Sequence, residues 1–294
     1  MLQNNKLTLM NPKTGNLAFR IYCFEKENPF DQVQRLSHYS LIWVKNGTGK
    51  VKADFSNYTF KDNTLFSFSP YQPFKLNTES EISGSVINFH PDFFCIHKHH
   101  KEVACNGVLF NNIYSPPFIH VNEEVKTTFD MVIDQFRIEM QKPDLAQYEL
   151  LVSYLKIFLI SASRLKTEQQ MEMQKETKEN GMPFILQNLK NYIEANYKTK
   201  HTASDYAEML SITPKALTKL TKTHYNKTLT DLISERIVIE AKRELYLTNK
   251  TVKEIAYELG YNDEYYFSRF FKKNADVSPQ HYRETVGFDK ISSV

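Results

Sequence analysis

Four side chains recur at one interval. Lys215, Thr218, Lys219 and Lys222 stand 50 residues before Tyr265, Ser268, Arg269 and Lys272. Within each set the spacing is i, i+3, i+4, i+7, which is one face of a helix. These types suit binding to a polyanion that also carries hydrogen-bonding edges. Arg can grip the O6 and N7 of guanine with two hydrogen bonds, and Tyr can touch a thymine methyl or a phosphate. Glu264, beside the second set, can accept from cytosine N4. Lys222, Lys272 and Lys273 suit phosphates, which position without reading. The chemistry is recognition. It calls for no catalytic residue and no cofactor.

Helices must hold these faces outward. In LGYNDEYYFSRFFKK (259–273), Phe267, Phe270 and Phe271 fall at i, i+3 and i+4, opposite Tyr265, Arg269 and Lys272. In SITPKALTKLTK (211–222), Leu217 and Leu220 take the apolar side. Thr213 reads as an N-cap, and Pro214 suits the first helical position. The helix before each set repeats too. Thr202 with Asp205, and Thr251 with Glu254, read as capping boxes, Asp205 being the poorer match. Ala207 and Leu210 correspond to Ala256 and Leu259 at a spacing of 49, so the second turn is one residue longer. Helix, tight turn, helix with a basic-polar face is a helix-turn-helix, here in two copies. A helix over about Asp231 to Leu247 should join them. It spans roughly 25 Å. That brings the two recognition helices to about 34 Å apart, one turn of B-DNA.

The rest of the chain sets the context. Its 294 residues are enough for two domains, and 41% hydrophobic with 24% charged residues is an ordinary globular composition. The net charge of +3 is no argument for an anionic partner by itself. Its location is more telling. Pro183 to Val294 holds 17 Lys+Arg and 14 Asp+Glu out of 37 and 34, which leaves 20 of each for the remainder. Three cysteines, Cys23, Cys95 and Cys105, suit a reducing cytoplasm better than a disulfide framework. The N-terminus does not read as a signal peptide. Leu150 to Ile160 is too short to span a bilayer.

LAFRIYCF (17–24), YSLIWVK (39–45), TLFSF (64–68) and SVINF (85–89) read as strands of a small antiparallel barrel or sandwich. Helices should follow over about 123–140 and 144–164. The second is apolar nearly all round, so it should pack on two sides, one against a second copy of the chain. That makes Ile160 a candidate seam residue. The stretch 167–182 reads as a linker, frayed or loosely helical. Tyr22, Trp43, Phe66, Phe68 and Phe89 would line a small-molecule pocket or simply fill the core. CIHKHHKEVAC (95–105) offers zinc ligand types or a redox pair, but no closed C-x-x-C spacing.

Residues 183–283, and above all RIVIEAKRELYLTNKTVKEIAYELGYNDEYYFSRFFKKNADVSPQHYR (236–283), resemble the AraC/XylS transcription regulators. Ala241, Leu245, Ile255, Ala256, Gly260, Tyr261, Phe267, Arg269, Phe271, Pro279, Tyr282 and Arg283 fill the family's pattern. Asn226 and Asp276 stand where the family usually has glycine, and both types tolerate left-handed backbone. The resemblance implies an α+β chain. A cupin-like antiparallel β-barrel with two helices would occupy 1–166, and an all-α double helix-turn-helix domain 183–294. It implies binding to double-stranded DNA through Lys215, Thr218 and Lys219 of one helix and Glu264, Tyr265, Ser268 and Arg269 of the other. It further implies contact with RNA polymerase, a homodimer and a first domain that senses a small effector, with activation or repression both open. A cupin-type metalloenzyme is the alternative. It needs a His-x-His…Glu set, whereas His38 stands alone before its strand.

Overall fold

The computed structural model describes residues 6–179 and 184–287. The chain divides into two compact units, Met1–Asn112 with Pro116–Glu172, and Ile113–Ser115 with Met173–Val294.

The first unit carries nine strands among its described residues: β1 (Leu7–Met10), β2 (Leu17–Lys26), β3 (Tyr39–Asn46), β4 (Gly49–Ala53), β5 (Ser56–Phe60), β6 (Thr64–Phe68), β7 (Phe74–Thr78), β8 (Ile82–Phe89) and β9 (Phe118–His120). They do not close into the expected barrel. They form a six-stranded sheet in the order β1-β2-β8-β3-β6-β9 and a three-stranded sheet β5-β4-β7, every pairing antiparallel. β1 and β9 each pair with one strand only and so remain edges. The chain changes sheets between β3 and β4. Gly47 sits there at φ 114°, a conformation that L side chains rarely adopt.

Alternation along the strands makes two cores. Between the sheets lie Ile42, Val44, Phe66, Phe68 and Val86 with Val51, Phe60, Phe74 and Leu76. On the other face, Phe19, Ile21, Leu41, Trp43, Ile87 and Phe89 meet helix residues. A short α1 (His100–Val103) precedes α2 (Glu123–Gln141) and α3 (Gln147–Glu179). Asn122 caps α2 by accepting from the Val125 amide at 2.9 Å. Phe129 stacks on Phe158 of α3 at 4.0 Å and meets Trp43 edge-on at 5.5 Å.

α3 outruns the expected end at Arg164 and is helical through most of the stretch expected to be a linker. The residues TEQQMEMQKETKE are mostly strong helix formers, so nothing local stops the helix. Residues 180–182 of the expected linker lie outside the described residues. Ile160 packs against the core, whereas Ile157 is 42% exposed, so the outward face of α3 is not the one expected. Among the described residues no helix is long and apolar enough to cross a membrane.

The second unit is helical: α4 (Phe184–Asn196), α5 (Ala203–Met209), α6 (Pro214–Tyr225), α7 (Leu229–Leu247), α8 (Val252–Glu258), α9 (Glu264–Ala275) and α10 (Pro279–Val286). α5–α6 and α8–α9 are the two helix-turn-helix pairs, joined by α7. Residues 183 and 288–294 of the expected reader domain lie outside the described residues.

Candidate nucleic-acid interface

The second helix of each pair, α6 and α9, starts at a side-chain cap. Thr213 accepts from the Ala216 amide at 3.2 Å, with Pro214 following. Asp263 accepts from the Tyr265 amide at 2.8 Å. Each ends on a left-handed residue, Asn226 at φ 56° and Asp276 at φ 60°. Their amides close on the Lys222 and Lys272 carbonyls. Asn and Asp thus do the work of the missing glycines.

The supporting helices start at complete capping boxes. The Thr202 hydroxyl and Asp205 serve each other's backbone, and so do Thr251 and Glu254. A hydrogen bond from the Thr202 hydroxyl lowers the Asp205 pKa, and one from the Thr251 amide lowers that of Glu254. Asp205 therefore completes the box that the commoner Glu completes at Thr251. α7 adds a third box, Thr228 with Asp231.

The two faces separate as the spacing requires. Phe267 and Phe271 are fully buried, and Phe270 packs against Tyr261 at 5.3 Å. Burying a phenylalanine side chain contributes about 1.5–3 kcal/mol. In α6, Leu217 and Thr221 hold the equivalent places, both at 0% exposure. The Thr221 hydroxyl donates to the Thr218 carbonyl at 3.1 Å, so no polar group is stranded.

On the outward face Lys215, Lys219, Lys222, Tyr265, Arg269, Lys272 and Lys273 are exposed. Thr218, Glu264 and Ser268 are half-buried at its margin. Thr218 donates its hydroxyl proton to the Pro214 carbonyl at 2.9 Å. The other nine side chains make no hydrogen bond or ion pair among the described residues. Other cations in this unit are spent on structure. Lys227 is buried on Glu235 at 2.6 Å. Arg236 joins Glu194 at 2.9 Å to Glu240 at 3.1 Å. Lys250 bridges Glu244 at 2.8 Å and Glu258 at 2.6 Å.

Backbone contacts aim the second pair. Arg283 donates to the Leu245 carbonyl at 3.1 Å and the Lys250 carbonyl at 2.6 Å, pinning the chain between α7 and α8. The α8–α9 turn holds Gly260 at φ 84°, and a Cβ there would lie 2.1 Å from the Lys198 carbonyl oxygen. His201 packs against Tyr261 at 5.1 Å. So the chain between α4 and α5 abuts the turn of the second pair.

Comparison with known proteins gives this arrangement a family. The helix-turn-helix domain family matches residues 206–285. The raffinose operon regulatory protein RafR of Pediococcus pentosaceus is 34% identical over 97 residues, 33% of this chain and 35% of that protein. The transcriptional activator Btr of Bacillus subtilis is 36% identical over 84 residues, 29% of this chain and 16% of its own length. Residues 206–285 thus carry a helix-turn-helix domain similar to those of these transcription regulators. The chain spans about a third and a sixth of these two relatives, and 60% of a regulator from Pseudoalteromonas carrageenovora that is 34% identical over 101 residues. Among solved structures, the C-terminal domain of AraT from Geobacillus stearothermophilus is 28% identical. It covers 38% of this chain and 93% of that one, with TM-score 0.36. ToxT from Vibrio cholerae is 16% identical over 92% of this chain and 98% of that one, with TM-score 0.39.

The other sites expected from the sequence fare differently. Tyr22, Phe66 and Phe68 share the inter-sheet face, Tyr22 at its margin. Trp43 and Phe89 point the other way, into the helix-side core, so the five aromatic residues do not meet around one space. In the Cys95–Cys105 stretch three of the polar side chains are already engaged. His99 bonds Glu102 at 3.0 Å and stacks on Phe94, His100 bonds the His97 carbonyl at 2.9 Å, and Glu102 pairs with Lys156 at 2.6 Å. Burial pushes the Cys105 thiol up to about 12, far from a thiolate. Among the described residues no three His, Cys, Asp or Glu side chains are placed to hold a metal ion.

Proposed function

We propose that the chain is a sequence-specific DNA-binding transcription regulator, with a reader over 183–294 and a sensing or dimerising part over 1–166. One observation carries this reading. Two capped helices each bury one face, and between them turn ten polar or basic side chains outward, nine without a partner among the described residues. Lys215, Thr218 and Lys219 would read one major groove, and Glu264, Tyr265, Ser268 and Arg269 the next. Lys222, Lys272 and Lys273 would meet phosphates. No bond is made or broken in this account. The reader positions the protein on the duplex, and RNA polymerase is the partner that then matters.

The test is equilibrium binding of the full chain to duplex DNA at several salt concentrations. Affinity should fall linearly on a log–log plot, and replacing Lys222, Lys272 and Lys273 together by Ala should reduce the slope by roughly three. Absence of binding at low salt would defeat the reading. Dimerisation through α2 and α3 accompanies it. Met131 and Ile138 on α2, and Leu150 and Ile157 on α3, are exposed apolar residues one heptad apart. Ile157→Asp should halve the mass seen by light scattering, whereas an unchanged mass would discard this seam.

A further inference from the structure

One half-buried cation of the first unit lacks a counter-charge. Arg20 on β2 lies in a cross-strand row with Thr8 of β1, Asn88 of β8, Ser40 of β3 and Phe68 of β6. Phe68 belongs to the core between the sheets, so this row faces the inter-sheet space. Toward β1 the row leaves that core, and there Arg20 is only half-buried. Its Nε and one Nη donate to Asn88 Oδ1 at 3.1 and 2.9 Å, and Asn88 donates to Ser40 Oγ at 2.9 Å. The outer edge of the guanidinium keeps only a long contact to His38 Nε2 at 3.5 Å. No carboxylate meets Arg20 among the described residues. Elsewhere in this unit Lys45 holds Asp130 and Lys156 holds Glu102.

More donors converge on the same place. Lys6 and Arg20 both lie over the ring of Tyr22, at 5.2 and 5.6 Å. The Tyr22 hydroxyl has no hydrogen-bond partner among the described residues, and burial raises its pKa, so it stays a donor. Burial, then the Arg20 charge, holds His38 at about 3, so it is neutral and adds no second charge. A half-buried guanidinium with one open edge, a phenol and an exposed ammonium, with no acid among them, is a receptor for an anion. Its planar edge matches a planar carboxylate, and its single half-buried charge matches a monoanion.

We propose that Lys6, Arg20 and Tyr22 bind a small organic carboxylate at this margin of the inter-sheet space, and that this is the effector class of the first unit. The proposal rests on the regulator reading for its biological meaning, but not for the binding itself.

The experiment is calorimetric titration of the full chain with acetate, pyruvate and benzoate, and separately with inorganic phosphate, at ionic strength matched by sodium chloride. At least one carboxylate should bind one to one with millimolar or tighter affinity. Arg20→Gln should weaken it at least tenfold, and Lys6→Gln by less. Arg20→Lys keeps the charge but loses the fork, and should also weaken binding. If Arg20→Gln does not fold, Arg20→Lys and Tyr22→Phe decide. The proposal is overturned if no carboxylate binds, if phosphate binds more tightly than every carboxylate, or if the folded Arg20 variants bind as wild type does. DNA binding is measured on the same preparations. Its loss with carboxylate binding intact would defeat the regulator reading alone.

Discussion

The two helix-turn-helix pairs share a plan and differ in how firmly they are built. Both begin at complete capping boxes, turn through one left-handed residue and end on a left-handed Asx cap. In both turns an amide five residues on returns to the small residue, Ile212 to the Ala207 carbonyl and Tyr261 to that of Ala256. The core beneath differs. The second pair packs Phe267 and Phe271 where the first has Leu217 and Thr221. The second turn uses Gly260 and abuts another backbone, while the first uses Ser211 at φ 54°. The outward faces differ in kind as well. The first offers three lysines and a threonine. The second offers an arginine fork, two lysines, a phenol, a hydroxyl and a carboxylate. A flexible ammonium gives charge with little geometry, whereas a guanidinium gives both. On the proposed reading the second pair would be the more rigid and the more selective, and both pairs would contribute to the general attraction to phosphates.

Substitutions in matched places sharpen this contrast. The largest effect is expected in the core. Phe271→Ala should cost about 3–5 kcal/mol of stability. Thr221→Ala, which removes a methyl and a local hydrogen bond, should cost about 1 kcal/mol. Chemical denaturation of the full chain reads both, and equal costs would erase the difference in packing. Next comes the turn. Gly260→Ala places a Cβ against the Lys198 carbonyl at a left-handed φ, and about 1–3 kcal/mol should be lost. Ser211→Ala should change stability by less than about 0.5 kcal/mol. A harmless Gly260→Ala would mean that the neighbouring chain gives way and does not hold the turn.

In binding, Arg269→Ala should lose about 1–3 kcal/mol of discrimination at one base pair. Lys219→Ala should lose less discrimination and more salt dependence. Equal weakening on all sequences would make Arg269 a phosphate contact. A small gain is expected from Ser211→Gly. It relieves about 1–2 kcal/mol of left-handed strain and gives back about 0.5–1 kcal/mol in backbone entropy. A gain of a few tenths to about 1 kcal/mol should appear as a slightly raised Tm.

The double helix-turn-helix was legible in the sequence because its signals are local. Caps, helical spacing and the repeat at 50 residues lie within short windows, and Thr213, Asp263, Asn226 and Asp276 do what their types allow. The first unit was harder to read. β3 is buried on both faces from Tyr39 to Val44, so alternation could not show that Trp43 faces the helices and Phe66 the other sheet. Barrel closure depends on which edges pair, and short strands such as β1 and β9 carry little sequence signal. The close approach of Gly260 to Lys198 joins residues 62 positions apart, and no window contains both. Arg20 had one available signal, a lone charge inside the apolar run LAFRIYCF. Its missing partner is visible only once the neighbouring strands are in place.

The most direct test of the two-reader account is selection of bound duplexes from a random library by wild type, Lys219→Ala and Arg269→Ala. The account predicts two short boxes about one helical turn apart, with each variant losing preference in a different box. Enrichment of no sequence, or loss of the same box by both variants, would contradict it.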